Sequence, residues 1–141
     1  TWERRPLDAD SMHVAAQALL GEHDFSGFRA SGCQARSPVR TVLSLQVARH
    51  GDLVRVDISA NAFLQHMVRN IVGVLVAIGR GDRHPEWAEE VLSGRDRRAG
   101  GVTAPPDGLY FVGVAYPPVN ALPSDPAASE GCPLPGLWYA R

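Results

Sequence analysis

The sequence predicts an α+β domain, an antiparallel sheet with helices packed on one face. Three observations carry that expectation. Alternating apolar residues at 42–47 and 53–58 flank the turn His50-Gly51-Asp52, the pattern of a β-hairpin. A long apolar run, ANAFLQHMVRNIVGVLVAIGRG at residues 60–81, has helical length and ends in glycine. The elements come in the order helix, strand, strand, helix, helix, strand. One more strand ahead of Thr1 would complete a ferredoxin-like or RNA-recognition-type sandwich.

Each element has its own signal. LDADSMHVAAQALLGE, residues 7–22, offers Asp8 or Asp10 as N-cap, apolar residues at helical spacing, and Gly21 as the stop. Residues 23–38, HDFSGFRASGCQARSP, are rich in Gly and Ser and read as loop. The long helix is expected over residues 62–78, closed by Gly79 and Gly81. A second helix is expected from Pro85 in PEWAEEVLSG, with acids early and glycine after. Residues 95–108, RDRRAGGVTAPPDG, read as loop, and LYFVGVAYP, residues 109–117, as a strand. From Pro117 onward six of the eleven prolines fall in the last 25 residues, so the tail is expected to be an extended or disordered arm without regular structure. The expected boundaries are a domain at 1–117 and a proline-rich extension at 118–141.

The 141 residues suffice for one domain with a real core, and 45% apolar against 21% charged residues is ordinary for a soluble chain. Net charge is -1, but its distribution is uneven. Between Phe28 and Arg80 seven Arg face two acids, whereas elsewhere seven Arg face thirteen acids. A basic middle suits a polyanion, and it equally suits a solvated sheet face. Cys33 and Cys132 fit no metal or redox spacing and are expected as reduced thiols of a cytoplasmic protein. The 60–81 run is too polar for a membrane span, and no signal peptide is visible.

On a helix, His66, Arg69, Asn70, Gly73, Ala77 and Arg80 form one stripe, polar at its start and small in its middle. A glycine inside a helix costs about 1 kcal/mol against alanine, so Gly73 suits close approach of a backbone, a ligand or a partner helix. An Arg among apolar residues needs an anion or a hydrogen-bond acceptor. Arg69 could snorkel past the core edge, or it could aim at a carboxylate or phosphate with His66 and Asn70 beside it. The pattern does not separate these two.

Three blocks together do. GEHDFSGFRASGCQARSPVRTV, ANAFLQHMVRNIVG and DGLYFVGVAYP, in this order, resemble the hallmark segments of the TruA family of tRNA pseudouridine synthases. The resemblance runs from about Trp2 to Pro123. It implies half of a pseudouridine synthase fold and isomerisation of uridine in the tRNA anticodon stem-loop. In that reaction the base–ribose bond is broken, the uracil is turned, and it is rejoined through carbon. The target base leaves its stack, and cations grip phosphates. No metal or organic cofactor is implied.

Carried over residue by residue, the resemblance makes Arg69 the partner that orders a catalytic Asp. It makes Leu109 a lining residue of the uracil pocket, although ordinary core packing would also account for Leu109. Phe28, Arg29, Arg36 and Arg40 become RNA contacts, each Arg being as readily a surface ion-pair partner. His66 and Asn70 become substrate-side polar groups or local packing polars. The family's G-R-T-D-x-G segment, which holds the Asp, is absent, and Asp96 in SGRDRRAGG does not replace it. The chain is therefore expected to be a C-terminal half, inactive alone, completed by an N-terminal half and acting on tRNA as a homodimer away from membranes. A non-catalytic RNA-binding module and a protein-association domain are the alternatives.

Overall fold

The computed structural model describes residues 2–115 and the backbone of residues 138–140. Helix α1 spans Ala9–Gln17, strand β1 Gly21–Asp24, β2 Val39–His50 and β3 Leu53–Ala60. Helix α2 spans Met67–Gly79, α3 Trp87–Gly94, and strand β4 Trp138–Ala140. The sheet is antiparallel in the order β1-β2-β3-β4. Its inward residues Val42, Leu45, Val47, Val54, Val56 and Ile58 share one core with Met12, Ala16, Met67, Ile71, Leu75 and Val91 of the helices. The α+β class and the one-sided helical layer stand as read from the sequence.

Asp8 starts α1. Its Oδ1 accepts the backbone N–H of Asp10 and Ser11, and its Oδ2 accepts the Ser11 hydroxyl, two of the donors every helix start leaves open. The helix ends at Gln17, short of the glycine. Gly21, at φ 93°, instead turns the chain into β1, a strand within what the sequence presents as helix end and loop. In the hairpin, Gly51 at φ 60° supplies the left-handed residue of the two-residue turn. A bulge at Leu43 breaks the register between Val42 and Ser44, so that Leu43 and Ser44 both face outward while Val42 and Leu45 remain buried.

Helix α2 begins five residues later than expected. Asn61 is tied to Thr41 through both its backbone N–H and its side-chain carbonyl, and the Gln65 carbonyl accepts from Ala30 N–H. Those bonds hold residues 61–65 out of the helix, and His66 crosses into it at φ 60°. The small stretch at Gly73 is covered by the chain itself: a Cβ there would stand 2.0 Å from the Val102 carbonyl oxygen. No partner helix is needed to explain that glycine. Helix α3 closes on Arg95 in the left-handed region, at φ 52°.

Two expectations about strands do not hold. Residues 110–115 form no strand, and Leu109 makes only an isolated bridge. A strand exists through the ladder beside it, and the described residues place no strand along 110–115. The position beside β3 goes to β4, where Val54, Arg55 and Val56 pair with Ala140, Tyr139 and Trp138. Those last three belong to the tail expected to lack regular structure. Residues 116–117 of the expected strand, and 118–137 of the extension, lie outside the described residues.

Candidate active-site face

Arg69 lies on the first turn of α2, half-buried. Its Nε–H donates to the Ala104 carbonyl at 2.8 Å, and Ala104 N–H returns a bond to the Arg69 carbonyl at 3.1 Å. The guanidinium is thus fixed at its base. Nη1 and Nη2 have no hydrogen-bond partner among the described residues, and neither is a buried orphan. No described carboxylate comes within ion-pair distance of them. A planar fork held at one nitrogen and open at the other two suits a bidentate carboxylate.

Beside it Asn70, 1% exposed, has its amide engaged on both sides. Its Nδ2 donates to the Phe28 carbonyl at 2.7 Å, and its Oδ1 accepts from Thr103 Oγ1 at 2.7 Å and Arg97 Nη2 at 3.0 Å. A buried amide satisfied in this way cross-links three segments and has little capacity left for substrate. His66 is exposed next to Arg69 and makes no side-chain cap.

The basic middle resolves residue by residue. Arg55 pairs with Asp57 at 2.6 Å, and Arg80 pairs with Glu3. Arg49 donates to the Leu7 and Gly51 carbonyls. Arg29 Nη2 donates to the Cys33 and Ala35 carbonyls, both at 2.7 Å, and so clamps its own loop. Arg40 Nη1 donates to the carbonyls of Ser37 and Val39, while its Nε is buried without a partner among the described residues. Arg36 is exposed and unpaired among the described residues. Phe28 is 0% exposed, packed against Phe25 in the core. It supports the loop from beneath, so its expected contact with RNA is corrected to a packing role.

Leu109 is 39% exposed. Cys33 is an unpaired, half-buried thiol, and Cys132 lies outside the described residues. Backbone N–H groups of Ala35 and Gln65, with Arg29 behind them, hold the Cys33 thiol below its usual range. Among the described residues no three His, Cys, Asp or Glu side chains gather into a metal-binding group, and no helix is long and apolar enough to cross a membrane.

Arg97, Thr103 and Ala104, which surround Arg69 and Asn70, fall in a stretch that reads as plain loop. Their one sequence signal is indirect: a buried Asn and a glycine on adjacent turns of a helix both ask for a close, polar neighbour.

Residues 15–117 match the family model described as tRNA pseudouridine synthase. This chain belongs to the tRNA pseudouridine synthase family. It is 61% identical over 123 residues to the tRNA pseudouridine synthase A of Nitrosococcus oceani, covering 87% of this chain and 48% of that protein. It is 59% identical over 123 residues to the one from Pseudomonas aeruginosa, covering 87% and 43%. For the Coxiella burnetii protein the identity is 55% over 125 residues, covering 89% and 48%. The chain therefore spans about half the length of the curated relatives it matches. The family match includes α2, with Arg69 and Asn70, the 97–104 segment and Leu109.

Proposed function

We propose that this chain acts as the C-terminal half of a tRNA pseudouridine synthase, isomerising uridine to pseudouridine in the anticodon stem-loop. The observation that carries the reading is the Arg69 guanidinium, anchored through Nε and open at both terminal nitrogens, with no described acid to neutralise it. In this reading a catalytic Asp from the N-terminal half completes the pair, and Arg69 orders it. The half-open Leu109 lines the uracil site. Arg36, and the face carrying Arg40 and His66, meet the RNA backbone, which supplies most of the affinity as a salt-sensitive term. Arg29 and Asn70 act beneath that surface by holding its loops.

The working protein is a cytoplasmic homodimer in this reading. Exposed Phe111 and Val114 support it by offering apolar surface for the N-terminal half or a second copy.

The test uses a fusion of the N-terminal half of the Pseudomonas aeruginosa relative to this chain. The fusion should release tritium from uridine-labelled tRNA, and Arg69→Ala should abolish turnover while retaining most tRNA affinity. Unchanged turnover in Arg69→Ala refutes the role given to Arg69. The 141-residue chain alone should show no turnover, and activity from it would place the nucleophile within this sequence.

A further inference from the structure

We infer that Arg97 and Thr103, acting through Asn70, are positioning residues that fix the direction of the Arg69 guanidinium. The inference rests on the functional reading above only for its catalytic consequence; its geometric part stands alone.

The only hydrogen bond made by the Arg69 side chain among the described residues is to the Ala104 carbonyl. Where the fork points is therefore set by where residue 104 lies. Ala104 belongs to a strap, residues 101–104, that crosses α2 and has no strand or helix of its own. Besides the Ala104 N–H bond to the Arg69 carbonyl, three contacts hold it. Thr103 Oγ1 donates to Asn70 Oδ1 at 2.7 Å. Arg97 spans the strap, with Nη1 donating to the Gly101 carbonyl at 2.9 Å and Nη2 to Thr103 Oγ1 at 2.7 Å and Asn70 Oδ1 at 3.0 Å. Gly73 lets the Val102 carbonyl approach to where its own side chain would stand.

Two of these groups carry a cost that the strap contacts account for. Asn70 is the one buried polar or charged residue of the described core. An amide so placed is retained at the expense of an apolar packing residue, and it makes sense where its acceptor oxygen has a partner to fix. Arg97 is half-buried, and no carboxylate among the described residues lies within ion-pair distance of it. Its charge is spent on neutral oxygens of the strap and of Asn70, bonds that charge strengthens. The two-pronged contact needs the planar fork; a lysine ammonium reaches only one side. Because Asn70 follows Arg69 on the same helical turn, the network clamps strap and guanidinium to one rigid element, as a preorganised site requires.

The experiment reads Arg69 directly. In the nitrogen-15-labelled 141-residue chain, solvent exchange of the Arg69 Nε–H is followed by NMR in four variants. Thr103→Val keeps the shape and removes the hydroxyl, and Arg97→Gln removes the fork. Thr103→Ser restores the hydroxyl, and Arg98→Ala removes an exposed neighbour whose partner is Asp96. Thr103→Val and Arg97→Gln should each speed Arg69 exchange about tenfold, the scale of one lost hydrogen bond. Thr103→Ser and Arg98→Ala should leave it unchanged. In the fusion enzyme Thr103→Val should lower kcat about tenfold, as for a displaced catalytic group, and leave KM for tRNA unchanged.

Unaltered Arg69 exchange in both Thr103→Val and Arg97→Gln overturns the inference. So does exchange that rises equally at every site, since that assigns the network to general stability. If Arg69 exchange responds as expected but Arg69→Ala turns over tRNA normally, the positioning holds and the catalytic reading fails. If Arg69→Ala is inactive while Thr103→Val keeps both its exchange and its kcat, the positioning fails alone.

Discussion

Arg29 and Arg36 both belong to the basic middle, and the structure gives them opposite work. Arg29 spends its charge on two carbonyls of its own loop, whereas Arg36 points to solvent with no described partner. Arg36→Ala should reduce the slope of log affinity for tRNA against log salt by about one, measured by filter binding across a salt series, with the melting temperature unchanged. Arg29→Ala should lower the melting temperature instead. Swapped phenotypes would contradict this division. A carboxylate makes a second case. Asp24 Oδ1 accepts the Ser26 hydroxyl at 2.6 Å and the Ser26 N–H at 2.9 Å, and Arg95 stands 3.5 Å from its Oδ2. The Ser26 hydroxyl first, then the Ser26 N–H and Arg95, hold this carboxyl below the usual range against the opposing effect of burial. A folded-state pKa below the unfolded one stabilises at pH above about 4 and loses that stabilisation as pH falls through the depressed value. Asp24→Asn should therefore be less stable at neutral pH and lose less on acidification, as urea melts at pH 7 and pH 3 would show. Parallel losses in both proteins would mean the pair contributes nothing.

Helix α2 is the element that organises the face. Its apolar side fills the core, and its N-terminal turn presents His66 and Arg69 while Asn70 is buried beneath them. Glycine normally weakens a helix by about 1 kcal/mol relative to alanine. At Gly73 the added methyl would meet the Val102 carbonyl at 2.0 Å, a backbone atom that moves only with the whole strap. Overpacking of that kind costs about 1–3 kcal/mol, so the clash outweighs the propensity gain. Gly73→Ala should destabilise the chain to denaturant and, in the fusion, impair turnover through the displaced strap. A more stable Gly73→Ala protein would show that the strap yields freely.

For the whole molecule, the near-neutral net charge hides a basic middle in which few cations are free among the described residues. Ion pairs and carbonyl contacts engage Arg29, Arg40, Arg49, Arg55 and Arg80 of that stretch, leaving Arg36 and the terminal nitrogens of Arg69 unpaired among the described residues for an outside anion. So modest a footprint predicts weak binding of tRNA by the chain alone, lost steeply with salt. Adding the N-terminal half should strengthen binding and bring turnover. Salt-insensitive binding by the isolated chain would point to an apolar contact in place of a phosphate grip.

The sequence by itself determined the class, the hairpin, the two longer helices and the family, because periodicity and ordered blocks are local properties of the chain. An acidic cap at Asp8 or Asp10 and Gly51 as a turn were legible for the same reason, and the structure chose Asp8. Only the tertiary structure decided which strand stands beside β3, since LYFVGVAYP has strand composition but a strand forms only where a neighbouring ladder receives it. It also decided the partners of Asn70 and Arg69. Those partners come from residues 97–104, a stretch without periodicity, and bonds between segments some thirty residues apart leave no mark in the spacing of either one.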